Sequence, residues 1–287
     1  MRCYGRRLCA IIARLLDHAK IPNVLWNEYM LSYYGAFMQE PHDISFIVPN
    51  RLIDAAYRTL QAAGFTACPE SDVDACERFQ CPEDGMIPAR HFHIESYWIV
   101  PARTYYLKLY GHAETLFSFP EPTLNEPSRD DKYYMSTRDE SIPIQIGPLH
   151  DETLMLYVEL NKRASADPYG LERYKIKLPN LTMLIHALIL LRCRDEGYNS
   201  HCDDDWYRML SSIRWYVIER GKMQIDSLEA VIQLIWDKLE IQYGNLWIRA
   251  LRKKLRREGV LPHPFVDRAC RCFRELDEWP SLLFHEQ

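Results

Sequence analysis

Asp43-Ile44-Ser45-Phe46-Ile47-Val48, closed by Pro49, is the stretch on which the fold turns. A short apolar run ended by proline reads as a buried strand. Behind it Leu52, Ile53, Ala56, Tyr57 and Leu60 recur at helical spacing over 50–63, and Gly64 stops that helix. Strand followed by helix is an α/β unit. In front of it, Leu8, Ile11, Ile12, Leu15 and Leu16 form the apolar side of an amphipathic helix, broken at Ile21-Pro22-Asn23. Residues 24–34 are apolar and aromatic and end at Tyr34-Gly35. After a polar, proline-containing loop over 66–90, two more strands read at 91–94 and 104–110, on either side of a turn at Pro101.

Residues 118–148 hold five prolines and little periodicity, and read as a meandering connector. The second half is helical. Leu181, Leu184, Ile185, Leu188 and Leu191 form one stripe, and Trp206, Met209, Leu210, Ile213 and Val217 a second. Ile225, Leu228, Val231, Ile232, Ile235 and Leu239 form a third, with further helices at 246–257 and 265–276. The expected class is α/β (α+β), a mixed sheet with helices over 1–150, followed by a helical bundle over 151–287.

Composition narrows the functional classes. A net charge of −5 argues against nucleic-acid binding through the whole surface, while leaving room for a local basic face. The nine cysteines are irregular, with no C-x-x-C pair, and Cys270-x-Cys272 falls on a helix that turns the two thiols apart. They read as reduced, intracellular thiols without structural zinc, and no metal ligand set is expected. Arg2, Arg6 and Arg7 precede apolar residues, but Arg14 and Asp17 interrupt the run, so a folded helix is expected there and not a signal peptide. No apolar run is long enough to span a membrane. The expected setting is cytoplasmic. There is no P-loop, G-x-S-x-G, H-E-x-x-H or dinucleotide fingerprint.

A helix running into a glycine turn at Tyr34-Gly35-Ala36, then eight residues later a strand that opens on Asp43, resembles the nucleotidyltransferase fold. The helical second half resembles that of minimal nucleotidyltransferases and AbiEii-type toxin enzymes, with a texture similar to uncharacterised fungal members, and the likeness runs over residues 8–240. In that family the strand carries Asp-x-Asp or Asp-x-Glu, which presents two carboxylates on one strand face. With a third carboxylate they hold two magnesium ions on a triphosphate. Here Asp43 is kept but Ser45 stands in the second place, and the phosphate-cradling pair is reduced to Gly35-Ala36. The resemblance therefore implies a transferase diverged from two-metal chemistry, with no cofactor beyond weak magnesium. Asp43 and Ser45 take the catalytic positions, and Tyr34 and Gly35 the substrate side.

Arg90-His91-Phe92-His93-Ile94-Glu95 adds to that site. Alternation puts His91, His93 and Glu95 on one strand face, where His93 and Glu95 suit proton transfer and His91 suits ligand binding. That face would lie beside Asp43 if the strands pair. Lys108, on the next strand, could neutralise a phosphate or a carboxylate, or lie solvated. Further on, Arg249, Arg252, Lys253, Lys254, Arg256 and Arg257 crowd one helix beside Trp247, a stripe able to track an RNA backbone or simply a solvated face. Asp203-Asp204-Asp205 reads as helix capping ahead of Trp206, and His186 as a core histidine.

These features favour an enzyme acting on a nucleotide- or tRNA-linked substrate, aminoacyl-tRNA-dependent cyclodipeptide formation being one such reaction. An acidic pocket of Asp43 and Glu95 would suit a guanidinium group. A conventional magnesium-dependent nucleotidyltransferase and an inactive binding scaffold are the alternatives.

Overall fold

The computed structural model describes residues 5–36, 43–68, 86–95, 104–143, 174–196, 200–239 and 244–263. Two compact units divide the chain. The first comprises Met1–Cys68, Ala89–Leu184 and Ser211–Asp226, and the second Pro69–Pro88, Ile185–Leu210 and Ser227–Gln287. The boundary expected near residue 150 falls outside the described residues.

The first unit is built on a five-stranded mixed sheet. Helix α1 (Arg6–His18) leads to β1 (Val24–Trp26), α2 (Asn27–Tyr33) and β2 (Asp43–Val48). After a 3₁₀ turn at Asn50–Leu52 come α3 (Ile53–Ala62), β3 (Thr66–Ala67), β4 (Arg90–Glu95), β5 (Thr104–Gly111) and the short α4 (His112–Thr115). The strand order is β1-β2-β5-β4-β3. Only β2 and β5 run parallel, Asp43 facing Tyr106 and Ser45 facing Lys108. A parallel neighbour needs a crossover, and the chain from Pro49 through α3 supplies it.

Five of the six residues of β2 are buried, which is why the strand reads as an apolar run and not as an alternation. Its Ile44, Phe46 and Val48 join Leu107, Leu109 and Phe92 on one sheet face, all buried. Tyr57 of α3 covers that face, its ring 5.2 Å from Phe92, and Phe65 lies 6.1 Å from the same ring. Asp43, Ser45, His91, His93, Tyr106 and Lys108 occupy the opposite face, which is the polar one.

The connector contains structure that the proline count obscures. Strand β6 (Tyr134–Ser136) pairs antiparallel with β7 (Lys177–Pro179). The Asp131 carboxylate accepts from the backbone N–H of Tyr133 and Tyr134 at 2.9 and 3.0 Å, which turns the chain into β6.

The helical half follows the expected stripes with two shifts. Helix α5 (Leu181–Asp195) buries Leu181, Leu184, Ile185, Leu188 and Leu191, and also Ile189 and Leu190, so it is apolar nearly all round. Helix α6 (Ser200–Ile213) starts six residues before Trp206 and runs on through a π turn at Arg214–Ile218. Asp203 is therefore a helix residue and not a cap ahead of one, and it accepts from Arg192 at 2.8 Å. Helix α7 (Ala230–Asp237) starts five residues after Ile225. Asp226 N–H instead donates to Thr182 Oγ1 at 2.9 Å, which ties the stretch before α7 to the first turn of α5. Helix α8 spans Gly244–Arg257. The helix expected over 265–276, with Cys270 and Cys272, lies outside the described residues. No helix among the described residues is long and apolar enough to cross a membrane.

Candidate functional site

Asp43 opens β2, an interior strand, and its carboxylate is already engaged. Lys108 Nζ donates to Asp43 Oδ2 at 2.5 Å and Tyr106 N–H to Asp43 Oδ1 at 3.2 Å. The register explains the contact. Lys108 faces Ser45, so in the parallel pair its long side chain needs to reach back only two residues along β2. Both partners are largely withdrawn from water, with side-chain exposures of 10% for Lys108 and 19% for Asp43. Lys108 is thus a buried lysine that neutralises a carboxylate and not a solvated one.

Ser45 is fully buried, and its hydroxyl has no hydrogen-bond partner among the described residues. The donor set at the strand is therefore one lysine-paired carboxylate and one enclosed hydroxyl. A hard dication wants several oxygen ligands carrying formal charge. These residues do not fit a two-magnesium centre, and a guanidinium would have to displace Lys108 to reach Asp43.

The histidines lie on the same face, but not beside Asp43. β5 stands between β2 and β4, so His91 faces Lys108 and His93 faces Tyr106. The His91 and His93 rings are 5.4 Å apart, and Tyr106 lies edge-on 5.4 Å from His93. Burial, then His93 and Lys108, push the His91 imidazole down to about 4, with Asp43 pulling the other way. His91 is consequently neutral at physiological pH and not a ready proton donor. Glu95 ends β4 opposite Thr104, and its side chain lies outside the described residues.

One neighbour was not legible as a site residue. Cys68 follows β3, and its N–H donates to the His91 carbonyl at 3.3 Å. This extends the β3–β4 register, in which Thr66 faces His93, and brings the buried thiol onto the histidine face. One donor atom each from Cys68, His91 and His93 all fall within 4.8 Å of one another. The His-x-His alternation is a visible signal, whereas the cysteine 23 positions earlier has none until the strands are paired.

The Tyr34-Gly35 turn has a structural role. Tyr34 is fully buried, and its hydroxyl donates to the Pro179 carbonyl. Gly35 has φ +82°, a conformation that favours glycine, and a Cβ there would sit 2.8 Å from Lys222 Cδ. Lys222 donates from Nζ to the Gly35 carbonyl at 2.5 Å. Burial and Arg220 lower the Lys222 pKa. This second cation, 187 residues away in sequence, was also invisible to motif reading.

The basic helix belongs to the second unit. Ile248 and Leu251 are buried there, and Arg249 and Arg252 hold Glu196 at 2.6 and 2.9 Å. Two of the six cations are thereby tied to one carboxylate. Lys253, Lys254, Arg256 and Arg257 are exposed, with Trp247 42% exposed about two turns before Lys254. Elsewhere in that unit His186 is half-buried, 4.0 Å from Glu229.

Fold and site together define an α+β protein with a mixed sheet whose polar face carries a neutralised Asp–Lys pair beside a Cys-His-His group. Comparison of the chain with family models, with curated proteins and with solved structures found no match.

Proposed function

We propose that the chain is a transferase-type enzyme of nucleotidyltransferase-like fold that has left two-metal chemistry and acts on a nucleotide- or tRNA-linked substrate. The observation that carries this reading is the Asp43–Lys108 pair. The carboxylate that would be a metal ligand in the resembling family is held by a lysine, with buried Ser45 two residues on. The helix–turn–strand order around Gly35 supports the fold reading, and Lys222 at that turn offers a cation for a phosphate. The exposed Lys253, Lys254 and Arg257 beside Trp247 support an RNA-linked substrate, since cations track a backbone and an indole stacks a base.

The test has two arms. Incubation with labelled nucleoside triphosphates and magnesium should give no label transfer to protein or RNA. The purified chain should carry co-purifying RNA, and charged tRNA should lose its aminoacyl group when the chain is added, cyclodipeptide formation being one such outcome. Magnesium-dependent label transfer would establish the conventional nucleotidyltransferase instead. Absence of both RNA and any transfer would leave a binding scaffold.

A further inference from the structure

We propose that Cys68, His91 and His93 bind one divalent d-block cation of the zinc type on the polar face of the sheet. Two strand relationships, the alternation along β4 and the β3–β4 ladder, converge to make the group. Alternation along β4 sends His91 and His93 to one face, the β3–β4 register carries the chain on to Cys68, and the Cys68 N–H bond to the His91 carbonyl fixes that thiol beside them. The three donor atoms lie within 4.8 Å of one another. A tetrahedral zinc with bonds of about 2.0–2.3 Å needs its ligands roughly 3.3–3.6 Å apart. Closing the difference takes side-chain rotation of about 1 Å, without movement of the strands.

The donor types select the ion. One thiolate and two imidazoles suit zinc and its neighbours, whereas magnesium and calcium want oxygen. The local field permits a cation because Lys108 is matched by Asp43, and the cysteine loses its proton on binding. Among the described residues the group offers three protein ligands, which in a tetrahedral site leave the fourth position to water or a substrate atom, as in catalytic zinc. The inference goes beyond the proposed function and stands apart from it: it needs only the three donors, and its readout is the metal and not RNA.

The test uses the full chain, purified without chelators. Elemental analysis should find close to one equivalent of zinc. Cobalt added to the chelator-stripped protein should give visible ligand-field bands and a near-ultraviolet thiolate-to-cobalt charge-transfer band. Cys68→Ser should abolish the charge-transfer band, and His93→Asn should weaken zinc binding by more than about tenfold, since even outer-shell changes cost that much. Cys202→Ser, at a buried cysteine in the second unit, should change neither. A thermal melt in chelator checks that each variant is folded. If Cys68→Ser does not fold, zinc-edge X-ray absorption of the wild-type chain still decides, because it should report one sulfur and two imidazoles. Substoichiometric metal, a metal content unchanged by Cys68→Ser, or a first shell without sulfur would each overturn the assignment.

Discussion

Breaking the Asp43–Lys108 pair from one side should cost far more than removing it whole. At an effective dielectric near 20, two unit charges about 4 Å apart attract by about 4 kcal/mol, and desolvation takes most of that back. The net worth of the pair is therefore close to zero, but either partner left alone at this depth is an uncompensated charge. Among the described residues, Lys108→Met leaves the carboxylate with the Tyr106 N–H alone, and it should cost about 3 kcal/mol at pH 8, the low end for a buried pair because some water reaches both groups. Asp43→Asn should cost about 2 kcal/mol, since the amide oxygen still accepts from the ammonium. The double variant should fall within about 1 kcal/mol of wild type, a coupling of about 4 kcal/mol. Lowering the pH to 5 should shrink the Lys108→Met penalty: with one lowering influence removed, His91 protonates more readily and supplies a cation near Asp43. The assay is urea unfolding with a chelator present, followed by circular dichroism and tryptophan fluorescence. Single costs below about 1 kcal/mol that simply add would mean the pair is solvated, and the neutralised interior centre would be wrong.

Other consequences can be measured on the same material. Gly35→Ala should lower stability by about 1–2 kcal/mol through its positive φ and the crowding of Lys222, and Lys222→Ala should relieve only the crowding part, as thermal melts of the two single variants and the double variant would show. Imidazole resonances of His91, followed by NMR in metal-free protein, should stay in the neutral form down to about pH 4. The folded chain then binds fewer protons than the unfolded one between about pH 6.5 and pH 4, so stability falls as the pH is lowered through that window; a midpoint near 6.5 would mean the ring is solvated. Calorimetry with magnesium alone should show weak binding or none, and tight binding lost in Asp43→Asn would restore the two-metal reading.

How much could be read in advance follows from where each signal resides. Strand β2 was legible to the residue because its apolar run has a proline stop, and α8 to within two residues because its cations and apolar residues share one helix period. Strand β1 was lost inside the apolar 24–34 segment because three residues carry no period of their own. Strand β6 escaped for another reason: its partner β7 lies more than 40 residues on, and pairing is what defines it. The site divides in the same way. Asp43 and the two histidines announce themselves by type and spacing. The partners that set their chemistry do not, since Lys108 reaches Asp43 across 65 residues and Lys222 reaches Gly35 across 187. Insertion of β5 between β2 and β4 put a lysine where direct contact with the histidines was expected, and no local pattern encodes strand order.

An RNA-linked substrate is tested by mobility shift of bulk tRNA at two salt concentrations. The wild-type chain is compared with a Lys253→Gln, Lys254→Gln, Arg257→Gln variant. These three cations are exposed, whereas Arg249 and Arg252 hold Glu196 and are left alone to protect the fold. An RNA-linked substrate requires binding that weakens with salt, and a variant that binds less tightly with a slope flatter by about three units, about one per lost phosphate contact. Equal melting curves would show that only the surface has changed. No shift of tRNA by the wild-type chain at low salt, or identical shifts for both proteins at both salt concentrations, would contradict it.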